Sequence, residues 1–255
     1  MNCSVCGKKL NKEGKSFCCE NGHRFDIAKQ GYVNLSRKQK ETGDNKAMVQ
    51  ARTNFLEKGY YDFLRKQVAA QIESLHPHSL VDIGCGQGYY TMAFAAPEKY
   101  GIDLSKEAIV YAAAHDKSTQ YIVDTIYDLP FADGSLDGIV SIFTPLPWKE
   151  IERVLKPGGF LITVSPAKKH LIELKEQLYE KVYENKEERE DVENLVLVDA
   201  SVVSDKKRVD DVWDLFEMTP YRYKSPKEGM ERVRALKELE VTFSFLMKTF
   251  RKKSL

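Results

Sequence analysis

Val81-Asp82-Ile83 runs into a loop with glycine at every second position, Gly84-Cys85-Gly86-Gln87-Gly88, and then into Tyr89-Tyr90. A strand ending in such a loop lets backbone come close to a ligand, and a following helix would offer free N–H groups. A second apolar stretch, Tyr100-Gly101-Ile102, ends in Asp103. A carboxylate about 20 residues past a glycine loop can accept both hydroxyls of a ribose. Asp82 precedes the loop and can orient the amino-acid end of a nucleoside cofactor, directly or through water. The spacing Gly84-x-Gly86-x-Gly88 lacks the third-glycine spacing of the dinucleotide fingerprint, and the wording points to S-adenosyl-L-methionine. Candidate cofactor-binding residues are therefore Asp82, Gly84, Gly86, Gly88 and Asp103. Asp124 follows Gln120–Val123 and is placed to accept the adenine amino group, although a satisfied surface carboxylate is an equal reading. The competing reading of the whole loop is a structural turn in another α/β protein.

A second chemistry sits at the N-terminus. Four of the five cysteines fall in the first 19 residues. Cys3-x2-Cys6 and Cys19-x3-His23 form two close pairs of soft or borderline ligands, each fit for a tight knuckle, and together they suit tetrahedral Zn2+. Clustered thiols in a cytosolic protein favour metal over disulfides. Cys18 is an alternative to Cys19, which gives the shorter turn. Four protein ligands leave no open coordination position, so the centre reads as structural.

The elements that must hold these residues follow from apolar spacing. The expected fold class is α/β, a Rossmann-like sheet with a small N-terminal zinc-binding module. Strands are expected at 79–83, 99–103, 120–123, 137–143 and 159–164, and helices at 88–95, 105–115, 149–155 and 167–184. Repeated β-then-α segments imply a parallel sheet with helices on both faces. Residues 241–251 alternate apolar and polar and suit a late antiparallel strand. Before the first strand, Met48, Phe55, Leu56, Phe63, Leu64, Val68 and Ile72 have helical spacing, with Gly59 dividing two helices. The expected division is a zinc module at 1–33, a linker and helices at 34–75, and the main domain at 76–255. Residues 34–46 read as a mobile linker and 185–193 as a solvated charge run.

Composition sets the class. The chain has 255 residues, 42% hydrophobic and 30% charged, with a net charge of +1. No apolar run approaches the roughly 18–20 residues that span a bilayer. The N-terminus lacks the pattern of a signal peptide, so the cytoplasm is the expected compartment. Charge is uneven: residues 1–52 carry 11 Lys and Arg against 5 Asp and Glu. The basic segment is a candidate surface for a polyanion, or a charge-decorated arm.

These residues resemble the RlmA (RrmA) family of bacterial 23S rRNA guanine-N1 methyltransferases, nearly end to end. The shared pieces are Cys3-x2-Cys6, Cys19-x3-His23, Phe25 to Leu35, Gly43-Asp44, Gln50-Ala51-Arg52, Asp82 to Tyr90 and Met218-Thr219-Pro220. The resemblance implies a structural zinc, S-adenosyl-L-methionine as donor, and a hairpin loop of domain II of 23S rRNA as substrate. It also implies cofactor contacts at Tyr61, Gly86, Gln87 and His170, with Tyr60 the aromatic alternative to Tyr61. By its residue type and position alone, His170 reads as a helix-start surface residue. Two branches of the family modify two nearby guanines of one loop.

Guanine N1 is protonated at neutral pH, so methylation needs its proton removed. The sequence shows no catalytic base; Asp26 and Asp44 are in segments able to fold over the site, though solvated loop carboxylates suit both. The end of the fourth strand reads Ser141-Ile142-Phe143-Thr144-Pro145 and not Asn-Pro-Pro-Tyr, so the amino-methylating signature is absent. Lys8, Lys9, Lys12, Lys15, Arg24, Lys29, Arg37, Lys38 and Lys40, with Arg251, Lys252 and Lys253, would hold phosphates. Phe25, Tyr32 and Trp148 would stack on splayed bases or serve as packing. A homodimer would suit a basic cleft built by two zinc modules. The competing functions are a small-molecule methyltransferase acting on a quinone-type acceptor and a non-catalytic zinc RNA-binding protein.

Overall fold

The computed structural model describes residues 1–37, 46–185 and 192–254. Lys38, Lys40, Gly43 and Asp44, and most of the charge run, lie outside them. The N-terminal strands β1 (Asn11–Glu13), β2 (Ser16–Cys18) and β3 (Arg24–Asp26) form a three-stranded antiparallel sheet. Strands of three residues cannot enclose a core. Leu10 and Phe17 are buried instead in one cluster with Leu129 and Phe131 of the main body.

Strand β4 (Val33–Asn34) leaves the module, and helices α1 (Lys46–Glu57) and α2 (Asp62–Leu75) follow. The alternating part then begins with β5 (Ser79–Ile83), β6 (Glu98–Asp103), α3 (Lys106–His115), β7 (Gln120–Val123) and β8 (Leu136–Ile142). It continues with α4 (Trp148–Val154), β9 (Leu155–Pro166), α5 (Ile172–Leu178) and β10 (Leu195–Val209). It closes with α6 (Val212–Glu217), α7 (Lys227–Ala235) and β11 (Leu239–Lys252). The eight-stranded sheet has the order β10-β11-β9-β8-β5-β6-β7-β4. Among the described residues, only the β11 pairings of this sheet are antiparallel. Strand order reverses at β5, which has β6 on one side and β8 on the other, and ligands of open α/β sheets bind at such a switch point.

Every residue of β5 is buried, which is why it reads as a short apolar run. Leu64, Val68 and Ile72, one face of α2, join Phe243 and Phe245 in the core on one side of the sheet. Val81, Ile83 and Ile102 join Ile151 and Val154 on the other.

The expected strands and the two helices divided by Gly59 are present. Three departures have local causes. No helix occupies 88–95; a one-turn 3-10 helix spans Thr91–Ala93. The Thr91 hydroxyl donates to Asp82 at 2.5 Å, Phe94 is buried, and Pro97 precedes β6, so the chain has no room for a second turn. The helix expected at 167–184 is only α5. Before it, Ala167 and Leu171 donate their N–H groups to the carbonyls of Ser244 and Thr242, at 2.9 Å each, and Leu171 has a φ of +56°. Third, Asn34 is not linker but sheet: Val33 and Asn34 pair in parallel with Ile122 and Val123.

Lys99 on β6 is 6% exposed. Its ammonium donates to the carbonyls of Thr91 at 3.1 Å and Phe94 at 2.9 Å, and lies 3.9 Å from the Asp116 carboxylate. Burial lowers the Lys99 pKa, and Asp116 opposes that shift. Replacing Lys99 by Met leaves two carbonyls and a half-buried carboxylate without their cation, at an expected cost of about 3 kcal/mol. Urea unfolding of Lys99→Met checks this; a midpoint equal to that of the wild type would contradict it.

Candidate donor pocket and metal centre

The two knuckles of the N-terminal module bring four ligand atoms within 4.8 Å of one another: Cys3, Cys6, Cys19 and His23. Each knuckle closes on its own backbone, Gly7 N–H to Cys3 carbonyl at 2.8 Å and Gly22 N–H to Cys19 carbonyl at 2.9 Å. Cys6 Sγ lies 3.7 Å from Cys19 Sγ, and His23 Nδ1 lies 3.4 Å from Cys19 Sγ and 3.6 Å from Cys3 Sγ. A tetrahedron with Zn–S near 2.3 Å and Zn–N near 2.1 Å has edges of about 3.6–3.8 Å, close to these separations. The donor set therefore fits zinc. The backbone N–H of Lys8 lowers the Cys6 pKa to about 6, whereas burial raises that of Cys3, so the two thiols shift in opposite directions. Cys18 is not in the cluster, which favours Cys19 of the two alternatives.

At the switch point of the sheet a cavity of about 1090 Å³ opens beyond the ends of β5, β6, β8 and β9. Tyr61, Asp82, Gly84, Gly86, Gln87, Asp103 and His170, all expected at the site, line it. Gly88 and Asp124 do not. Gly88 packs below the loop, where an added Cβ would lie 2.6 Å from Tyr121 Oη. Asp124 is buried and accepts from the N–H of Thr125 at 2.8 Å.

The Asp103 carboxylate is held by backbone. Its Oδ2 accepts from Gly86 N–H at 2.9 Å and its Oδ1 from Ser105 N–H at 2.7 Å. A carboxylate oxygen can accept more than one hydrogen bond, which suits this group to a pair of ligand hydroxyls. An added Cβ on Gly86 would meet nothing within 4 Å, so that side of the loop is open. Gln87 Nε2 and Tyr90 Oη are buried on the cavity wall without a hydrogen-bond partner among the described residues. Orphaned buried polar groups carry a free-energy cost until something meets them. A ligand with polar groups at this wall, such as the amino-acid end of S-adenosyl-L-methionine, fits.

His170 is buried, not at the surface. The N–H of Ser244 donates to its Nδ1 at 3.3 Å, which leaves the proton on Nε2. Burial lowers its pKa to about 3, helped by the charge of Lys175, so the ring stays neutral. Tyr61 lines the cavity, 3% exposed, whereas the Tyr60 hydroxyl turns to Asp210. That contrast favours Tyr61.

Other candidates are placed elsewhere. Asp26 stays within the zinc module and accepts from the Ser16 hydroxyl at 2.7 Å, so it is no base at the pocket. Tyr32 is buried against Ile109 and Ala112, a packing residue. Arg251 and Lys252 donate to main-chain carbonyls of Gly158 and of Glu152 and Leu155, and brace the sheet. Cavity residues to which the sequence assigned no site role include Arg52, Phe143, Thr144 and Lys248. The one available signal was position: Phe143 and Thr144 directly follow the strand beside β5.

Burial pushes the Asp82 carboxyl up to about 7; the Thr91 hydroxyl opposes this and Asp103 adds to it. A carboxyl raised above its unfolded value keeps a proton that the unfolded chain has lost. Stability then falls as pH rises from the ordinary carboxylate range, about 4, to about 7. Asp124, pushed up to about 6 by burial, adds the same sign. Asp82→Asn is expected to flatten the fall in Tm across that window, and identical slopes for the two proteins would refute the assignment.

Strand order and loop are those of S-adenosylmethionine-dependent methyltransferases, and residues 81–163 match the family described as Methyltransferase domain. A protein provisionally named a methyltransferase, solved in complex with the Haloferax volcanii Trm112 methyltransferase activator, shares the fold, with a TM-score of 0.50 at 20% identity over 82% of this chain and 96% of that one. Residues 1–40 match the zinc-ribbon family described as RlmA, N-terminal. A Streptomyces fradiae 23S rRNA (guanine(748)-N(1))-methyltransferase is 36% identical over 70% of this chain and 67% of its own length. A Bacillus subtilis (strain 168) protein, provisionally named a 23S rRNA (guanine-N(1)-)-methyltransferase, is 31% identical over 95% of this chain and 93% of its own. The chain belongs to this family of RlmA-type 23S rRNA (guanine-N1) methyltransferases.

Proposed function

We propose that this protein methylates N1 of a guanine in a hairpin loop of domain II of 23S rRNA, in the cytoplasm, with S-adenosyl-L-methionine as donor. The observation that carries the reading is the union, in one chain, of a four-ligand zinc ribbon with a donor-sized cavity. When bound, the donor supplies an electrophilic methyl group. Asp103 would hold the ribose hydroxyls, and Asp82 and Gln87 the amino-acid end. Gly84 and Gly86 would let backbone approach, with Tyr61 and neutral His170 completing the wall. Cys3, Cys6, Cys19 and His23 would hold a structural Zn2+.

Guanine N1 must lose its proton to attack. Arg52 and Lys248 line the cavity, and positive charge there favours the deprotonated base. Positioning supplies most of the remaining rate. Lys8, Lys9, Lys12, Lys15, Arg24 and Lys29 are all exposed on the module and would hold RNA phosphates without reading sequence. A homodimer presenting two modules to one hairpin belongs to the same proposal; sedimentation of the free protein tests it.

The deciding experiment combines labelled S-adenosylmethionine with 23S rRNA from a strain lacking the gene, followed by primer extension across domain II. N1-methylguanine blocks reverse transcription, so a stop in the hairpin loop is expected and identifies the guanine. Donor binding without label transfer to RNA would overturn the proposal and direct attention to small-molecule acceptors.

A further inference from the structure

Phe143 follows the last residue of β8 with a φ of +57°, a left-handed conformation that a bulky L residue adopts only under constraint. Its N–H still donates to the Val164 carbonyl at 3.0 Å, so pairing with β9 continues through the strained residue. The ring closes a cluster of four. Its centroid is 5.2 Å from that of Phe245, 6.3 Å from Tyr90 and 6.4 Å from Tyr61. Tyr61 and Phe245 are 3% and 0% exposed, but Phe143 is 44% exposed, and it lines the cavity.

The ring also borders the donor loop. Thr144, the next residue, donates its hydroxyl to the Gly84 carbonyl at 3.5 Å, and β8 pairs directly with β5. A strained backbone and an uncovered aromatic face are each unfavourable in the free protein. Both are accounted for if the ring is held out for a flat partner.

We propose that Phe143 is the platform on which the acceptor guanine stacks, an inference that rests on the rRNA-guanine reading above. Bases splayed from RNA loops stack on aromatic side chains. Stacking fixes the plane of the purine and leaves only rotation within that plane to bring N1 toward the donor methyl. Tyr61 and Phe245, with their faces already covered by other rings, are left as support.

Three variants test this. Phe143→Leu keeps an apolar side chain but removes the π face. It is expected to lower kcat/KM on 23S rRNA about 10- to 100-fold, the range of single base–aromatic stacks, with the Kd for S-adenosylmethionine unchanged. Phe143→Tyr should restore most of the rate. Phe143→Gly relieves the left-handed strain, and should lose methylation without a fall in Tm. Phe143→Leu turning over rRNA at the wild-type rate would overturn the platform. So would a matching loss of donor affinity, which would make the ring part of the donor site. Failure of the wild type to methylate 23S rRNA would instead bring down the functional reading, and the platform with it.

Discussion

Stripping the metal from the Cys3, Cys6, Cys19 and His23 centre is expected to cut rRNA methylation at least about 100-fold while S-adenosylmethionine still binds. Structural zinc contributes on the order of 10 kcal/mol to small modules of this kind. Strands β1 to β3 have three residues each and enclose no core of their own. The effect should spread only as far as the edge of the large sheet. Leu10 and Phe17 share a cluster with Leu129 and Phe131, and Asn2 N–H donates to the Pro130 carbonyl at 2.7 Å. Hydrogen exchange on the chelated protein should therefore rise at Ile122 and Val123, the partners of β4, and stay slow in β5 and β8. Cys19→Ser should behave like the chelated protein and Cys18→Ser like the wild type. Full methylation by the metal-free protein would refute the dependence. Donor binding lost in parallel would show that the ribbon also props up the pocket.

Gly84→Ala should produce the second large effect. The residue has a φ of +70°, and an added Cβ would lie 2.2 Å from Thr144 Oγ1 and 2.5 Å from Thr144 Cγ2. Left-handed strain of about 1 kcal/mol and overpacking of about 1–3 kcal/mol act together. The loop and Thr144 cannot both keep their places, so donor affinity should fall about 100-fold, an effect comparable to other losses of pocket geometry. Gly86→Ala is the control: its φ is +53°, but its Cβ would enter open space. It should cost about 1 kcal/mol of stability and act mainly on donor binding. Thermal melts and donor titrations of the two variants decide it, and equal losses of stability would contradict the packing account.

Much of this could be read from residues because the cues were local. Leu80-Val81 and Ile139-Val140 read as strands because both faces of a central parallel strand are apolar. The cysteine pairs were legible from ligand spacing alone. What escaped depended on contacts remote in the chain. His170 seemed a surface residue because its burial comes from β11, more than 70 residues on, through the Ser244 N–H. No local pattern marks β4, two residues whose partner is β7. Strand β10 is largely exposed along its length, so no apolar period announced it. The helix expected after the glycine loop was displaced by the tie between Thr91 and Asp82, a pair no propensity encodes. Asp124 sits at the right strand end, but structure puts it beside the cavity and not on its wall.

The strand that carries the ribbon into the sheet has a consequence for how a target is chosen. With Val33 and Asn34 laid along β7, and Lys117 and Gln120 donating to the carbonyls of Gln30 and Gly31 at 2.8 and 3.2 Å, grip and workpiece are mounted on one jig. If the proposed function holds, an RNA seated on the ribbon would present its guanine at a set distance, and selection would work by dead reckoning along the folded RNA with no reading of the neighbouring letters. Moving the mark to an adjacent nucleotide would then take a reshaped RNA or a re-seated ribbon, and an unfolded strand of the right sequence would be passed over.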